Sequence, residues 1–149
     1  IYTNEVKIDM YNKILVAFDG SKPSIHALQH AAKLAKTANT KKMVILHVND
    51  EPIDLQQPVY NVEIDQLIEE ENHETLSTAN GLLLEAGILY ETHILEGDPS
   101  RQITSYVKEN PYDLIVMGSR GKGLIKGMFL GSVSRAVIHS VDCPVLIVK

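Results

Sequence analysis

The sequence predicts an α/β fold in which helices cover both faces of a parallel β-sheet. The apolar runs at residues 14–18 and 114–117 lack the alternation of polar and apolar residues that marks a sheet with one solvent-facing side. Segments with apolar residues at helical spacing separate such runs, so strands and helices alternate along the chain. This alternation favours a three-layer α/β sandwich with right-handed crossover connections.

The first part of the chain predicts one strand–helix–strand unit. A strand over residues 13–18 precedes Ser21, which suits a helix N-cap, and Pro23, which suits the first helical turn. Apolar residues then recur at helical spacing until Asn39, which is expected to end the helix. A second strand is predicted at residues 43–48.

A long helix is predicted after a loop at residues 49–61, and Gly87 supplies its stop. The loop contains two prolines and is a candidate cover for a ligand. The apolar side of the helix is predicted to comprise Ile64, Leu67, Ile68, Leu76, Ala79, Leu82, Leu83 and Ala86. Glu69, Glu70, Glu71 and Glu74 are interpreted as a solvated face, with an acidic metal cluster as the alternative.

The second part repeats the alternation. Further strands are predicted at residues 88–95, 113–117 and 144–148. Asp98 as N-cap with Pro99 behind it begins one helix, which ends at Asn110, and another helix follows Gly131. The buried sides of these two helices are expected to comprise Ile103, Tyr106 and Val107, and Val133, Val137 and Ile138.

Length and composition narrow the class of protein. A chain of 149 residues is expected to form one domain, at residues 11–149, with residues 1–10 as an N-terminal extension or tail. The net charge of −5 argues against general nucleic-acid binding, which calls for a basic surface. No apolar run reaches the ~20 residues of a membrane span, no signal peptide is apparent, and Cys143 is the single cysteine. We therefore expect a cytoplasmic protein.

A glycine-rich segment at residues 117–134 gives the strongest indication of function. Gly118, Gly121, Gly131 and Ser132 lie between an apolar strand and a helix start, where backbone N–H groups and the helix dipole favour an anion. Positive charge is added by Arg120, Lys122, Lys126 and Arg135. The spacing is that of neither a Walker A loop nor the dinucleotide fingerprint. The segment predicts phosphate binding.

Asp19 follows the first strand, at the edge where open α/β sheets bind ligands. One interpretation is a carboxylate that shapes the turn into the helix. The other is an acceptor for a ribose hydroxyl or an adenine edge, because a carboxylate beside phosphates would repel them. Both interpretations stay open on the residues alone.

The spacing Gly118-x2-Gly121-x9-Gly131-Ser132 is similar to the ATP-binding signature of universal stress proteins. The similarity extends to residues 14–21, 44–48 and 143–148, in the family's order. The chain is identified as a member of the universal stress protein (UspA) family, in its ATP-binding subgroup. The resemblance implies a Rossmann-like sheet, similar to that of adenine nucleotide alpha hydrolases, with five parallel strands in the order 3-2-1-4-5.

The resemblance also implies the ligand and the residues around it. The expected ligand is ATP, with AMP and ADP as alternatives. A divalent ion, Mg²⁺ or Mn²⁺, is plausible on the phosphates. Asp19 is expected at the ribose or adenine, and the backbone around Val48 at the adenine. Phe18 departs from the smaller or β-branched residue often found there, which bears on the adenine pocket. The expected nucleotide-binding residues are Ala17, Phe18, Asp19, Val48, Met117, Gly118, Ser119, Arg120, Gly121, Gly131, Ser132, Val133 and Ser134.

The last strand is expected at a sheet edge. An exposed apolar edge needs cover, and members of the family commonly form dimers through this strand. We therefore expect a homodimer through Val145–Val148, with neither a nucleic acid nor a membrane as partner.

No catalytic residue is evident. His26 and His30 are spaced for a shared helix face but lack a third ligand, and His47 within a strand is expected to be structural. Ser132 and Cys143 have no activating partner in sequence. Two functions compete: a nucleotide-binding stress sensor or regulator with little or no hydrolysis, and a weak ATP hydrolase or phosphotransfer enzyme. A scaffold that binds no nucleotide is disfavoured by the intact glycine spacing.

Overall fold

The strands form at the predicted apolar runs. The computed structural model of the chain describes residues 10–50, 61–122, 127 and 129–149. The strands are β1 (Lys13–Ala17), β2 (Lys42–Asn49), β3 (Tyr90–Glu96), β4 (Leu114–Gly118) and β5 (Val145–Val148). All pair in parallel, in the order β3-β2-β1-β4-β5, which confirms the predicted architecture.

The helices begin and end at the residues whose chemistry favours caps. They are α1 (Lys22–Ala38), α2 (Asn61–Ala86), α3 (Pro99–Glu109) and α4 (Ser132–Ser140). The Ser21 hydroxyl accepts a hydrogen bond from the Ser24 N–H at 3.3 Å, and the Asp98 carboxylate accepts one from the Arg101 N–H at 2.9 Å. Asn39 ends α1 in the left-handed conformation, with φ of 53°.

Two apolar layers hold the helices on the sheet. Alternate residues of β1 point to opposite faces, so Ile14 joins the layer beneath α1 and α2, whereas Leu15 joins the layer beneath α3 and α4. Both side chains are fully buried. The lack of alternation in the sequence is thus explained by helices on both faces.

Two predicted core positions are wrong. Leu67 is 64% exposed, because the buried stripe of α2 runs through Asn72, Leu76, Ala79 and Leu83. At ~100° per residue, Leu67 lies about 140° around the helix axis from Asn72. Ile138 is 39% exposed for a similar reason, since it is one residue beyond the buried Val137.

Some expectations fall on undescribed parts of the chain. The tail at residues 1–9, most of the predicted covering loop at residues 51–60 and the side chain of Ile64 lie outside the described residues. Within the described ranges, no helix has both the length and the apolar character needed to span a membrane.

Candidate functional site

A cavity of about 490 Å³ opens where the carboxyl ends of β1, β2 and β4 meet. β1 and β4 are neighbours, although α1, α2 and α3 separate them in the chain. Their loops lead to helices on opposite faces of the sheet, so the strand ends part and leave a crevice. The volume is in the range of small-molecule sites.

Asp19 forms one wall of the cavity. Its Oδ1 accepts a hydrogen bond from the Ser21 N–H at 2.9 Å, so the carboxylate does shape the turn into α1. Its Oδ2 lies 2.9 Å from the point that a Cβ on Gly121 would occupy. Asp19 and Gly121 are thus in close contact, and both line the cavity.

The base of the loop between β4 and α4 is fixed by hydrogen bonds. The Ser119 N–H donates to the Val148 carbonyl and the Gly131 N–H donates to the Ser119 carbonyl, each at 2.7 Å. The Ser134 hydroxyl donates to the Gly118 carbonyl at 2.8 Å. These bonds hold the start of α4 against the end of β4, at the edge of the cavity.

The N-terminus of α4 presents amide groups to this cavity. Its N-cap, Gly131, offers no side-chain hydrogen bond, and the helical hydrogen bonds begin with the Arg135 N–H donating to the Gly131 carbonyl at 3.0 Å. The N–H groups of Ser132, Val133 and Ser134 therefore have no acceptor within the described residues, and all three residues line the cavity. Together with the helix dipole, these N–H groups favour a negatively charged group at this end of the cavity.

Charged side chains of both signs also line the cavity. Arg120 and Lys122, in the β4–α4 loop, line the cavity. Asp50 and Glu71 contribute carboxylates from the end of β2 and from α2. The described charges are therefore mixed, and the α4 amides are the groups best suited to hold a phosphate.

Sequence reasoning found most of the cavity lining. Every predicted binding residue lines the cavity except Ser119, which is 3% exposed and is not part of the lining. The additional lining residues are Leu46, His47, Asn49, Asp50, Glu71, Asn72, Pro99, Ile103 and Lys122. Those on α2 and α3 were missed because the helices that wall the cavity are distant in sequence from the glycine segment.

His47 has the structural role predicted for it. Its Nδ1 lies 2.9 Å from the Phe18 carbonyl oxygen, which can only accept, so this nitrogen donates. Its Nε2, which accepts in a neutral ring, lies 3.1 Å from the side-chain amide of Asn72, whose NH2 group is the matching donor. The ring ties β1 to α2 and is 5% exposed. Asn72 could have been identified from the sequence, because it is a polar residue on the otherwise apolar stripe of α2.

The remaining candidate reactive groups lie away from the cavity. Burial raises the pKa of the Cys143 thiol, which favours its protonated, unreactive form. His26 and His30 are on α1, with Nδ1 atoms 3.0 Å and 3.1 Å from the carbonyl oxygens of Lys149 and His26. Within the described residues, no group of three or more His, Cys, Asp or Glu side chains is placed to hold a metal ion.

Comparison with known sequences identifies the family. The sequence model of the universal stress protein family matches residues 10–149. The chain belongs to the universal stress protein family. It is 40% identical over 149 residues to universal stress protein YxiE of Bacillus subtilis, covering 94% of this chain and 100% of that protein. It is 35% identical over 142 residues to universal stress protein MJ0531 of Methanocaldococcus jannaschii. That match covers 95% of this chain and 84% of the archaeal protein.

Solved universal stress proteins have the same fold, and several contain nucleotides. One in complex with cAMP has a TM-score of 0.71 and 28% identity, covering 94% of this chain and 98% of that one. The protein from Archaeoglobus fulgidus in complex with dAMP has a TM-score of 0.65 and 26% identity, covering 94% and 99%. A family protein from Arabidopsis thaliana with AMP bound has a TM-score of 0.67 and 25% identity, covering 93% and 91%.

Proposed function

We propose that this universal stress protein binds an adenine nucleotide, ATP above all, in the cavity between β1 and β4. It acts as a stress-response sensor or regulator with little or no hydrolysis. The main support is that the three amides at the start of α4 and the Asp19 carboxylate line one cavity. The complexes of related proteins with cAMP, dAMP and AMP support the same ligand class.

The cavity offers a place for each part of the nucleotide. The phosphates lie at the N–H groups of Ser132, Val133 and Ser134, near Arg120. The ribose lies near Asp19, whose Oδ2 lies 2.9 Å from the point that a Cβ on Gly121 would occupy. The adenine lies against the apolar lining, comprising Ala17, Phe18, Val48 and Met117. Mg²⁺ or Mn²⁺ would accompany the phosphates of ATP, because ATP normally carries a divalent cation.

Binding without rapid turnover is favoured by the hydrogen bonds that hold the one histidine among the described lining residues. His47 is the histidine in that lining, and both of its ring nitrogens are engaged by Phe18 and Asn72. Asp19 is assigned to the sugar, away from the phosphates.

The free, unpaired thiol of Cys143 supports a reducing compartment such as the cytoplasm.

The nucleotide content of freshly purified protein tests this proposal. We expect mass spectrometry of the denatured protein to release an adenine nucleotide in stoichiometric amount, and calorimetry to show binding of ATP and AMP to the stripped protein. Retained ATP without turnover supports the sensor. Turnover above background would instead support the weak hydrolase. Stripped protein that binds no adenine nucleotide would refute the proposal.

Removing the carboxylate of Asp19 is expected to weaken adenosine binding while the fold is retained. Asp19→Ala loses both the acceptor for the ribose and the bond to the Ser21 N–H, whereas Asp19→Asn keeps an oxygen for the turn. Losing a charge-assisted hydrogen bond of about 1.5–3 kcal/mol corresponds to roughly a 10- to 100-fold loss in affinity. Calorimetry with adenosine and AMP measures it. Unchanged affinity in both variants would remove Asp19 from the site.

The exposed edge strand supports a homodimer. β5 pairs with β4 on one side only, and Leu146 on it is 37% exposed. We expect sedimentation equilibrium to give a dimer at micromolar protein, and Leu146→Lys to weaken it by at least about tenfold, as burying an unpaired charge costs more than ~1.4 kcal/mol. A monomer at all concentrations would contradict the dimer proposal without affecting nucleotide binding.

A further inference from the structure

One carboxylate of the cavity wall faces the loop that leads to the start of α4. Oε1 of Glu71, on α2, lies 3.7 Å from Nζ of Lys122, on the β4–α4 loop. Both residues line the cavity, so the ion pair joins two of its walls. The two side chains are 50% and 56% exposed, and such solvated pairs are weak. Another anion in the cavity can therefore compete with Glu71 for the ammonium group of Lys122.

A phosphate chain is such an anion. The cavity holds the phosphates at the start of α4, and Lys122 follows the Arg120–Gly121 stretch that also lines it. A lysine ammonium on a long, flexible stem acts as a mobile point charge and can pair with either partner. Each phosphate group added to AMP increases the negative charge that Lys122 can attract and that the Glu71 carboxylate repels.

We propose that Glu71 is a specificity-determining residue of the nucleotide site and lowers the preference for ATP over AMP. It does so by holding Lys122 away from the phosphate chain and by placing a negative charge on the facing wall. This inference rests on the proposed function, because it concerns the phosphate half of the same site. It assigns to α2, which carries no glycine motif, a part in selecting the nucleotide.

The neighbouring Glu70 provides a matched control. Glu70 is exposed on the same helix and is not part of the cavity lining, so Glu70→Gln removes the same charge without freeing Lys122. Calorimetry on the full chain, with EDTA and at low salt, compares adenosine, AMP and ATP. We expect Glu71→Gln to tighten ATP about fivefold and AMP less than about twofold, the scale of a weak ion pair. Adenosine affinity should not change.

A second variant separates competition for Lys122 from simple repulsion. Lys122→Gln is expected to weaken ATP more than AMP, and in that background Glu71→Gln should lose most of its effect. High salt should reduce the effect of Glu71→Gln, because the charges are solvated. An unchanged ATP-to-AMP affinity ratio in Glu71→Gln, or an equal change in Glu70→Gln, overturns the inference alone. A wild-type chain that binds neither nucleotide overturns the proposed function and this inference with it.

Discussion

Gly118→Ala is expected to lower the free energy of unfolding by about 3 kcal/mol, the upper range for overpacking a buried position. A Cβ at Gly118 would lie 2.8 Å from the carbonyl carbon and the Cβ of Pro23, and 2.9 Å from the Ser24 nitrogen. Two of these are backbone atoms in the first turn of α1, so the contact is relieved only by moving the helix or the end of β4. Urea denaturation measures the loss.

Gly81→Ala is the control with the opposite expected sign. A Cβ at Gly81, within α2, meets no atom within 4 Å of its position. Alanine is favoured over glycine inside a helix by about 0.5–1 kcal/mol, so this variant should unfold at higher urea. If Gly118→Ala were as stable as the wild type, β4 and α1 would not approach as closely as the structure has them.

The close approach at Gly118 also affects the site. Because Gly118 packs against the first turn of α1, it sets the position of the Asp19 turn relative to the β4–α4 loop. We therefore expect Gly118→Ala to weaken nucleotide binding even at temperatures where the variant is folded. Packing alone therefore requires a glycine at this position, apart from its proposed role beside the ligand.

Local chemistry accounts for the success of most element predictions. Ser21, Asn39, Gly87 and Asp98 act on their own helix ends, so their caps and stops could be predicted from neighbouring residues alone. Which stripe of a helix is buried is decided by its partner instead. The error at Leu67 arose there, since the apolar residues of α2 span more of its circumference than the sheet and α1 cover.

The site depends more strongly on contacts between distant residues. The approach of Asp19 to Gly121 requires β1 to pair with β4, a strand order that the family resemblance supplied and local patterns did not. The pair between Glu71 and Lys122 could not be predicted, because nothing in either segment specifies that α2 passes beside the loop. The part of the lining that comes from the β4–α4 loop and the start of α4 could be predicted because it is built from one continuous segment.

Gly131→Asp is expected to reduce the affinity for ATP and AMP by on the order of 100-fold while the protein remains folded. Gly131 is the N-cap of α4, and an aspartate there can accept hydrogen bonds from the amides that we assign to the phosphate. Its carboxylate would also repel the ligand, a like-charge cost of several kcal/mol. Crowding adds to this, since a Cβ would lie 3.3 Å from Cα of Arg120. Calorimetry measures the loss.

Two further variants at the same position separate these causes. Gly131→Ala introduces only the crowding, and Gly131→Asn introduces a neutral capping group of similar size. We expect the loss of affinity to increase from alanine to asparagine to aspartate. The free energy of unfolding of the aspartate variant should equal or exceed that of the alanine variant, because an N-cap side chain and a negative charge stabilise a helix start. If Gly131→Asp bound ATP within about threefold of the wild type, the phosphates would not lie at α4, since an occupied anion site cannot accept a second negative group at that small a cost.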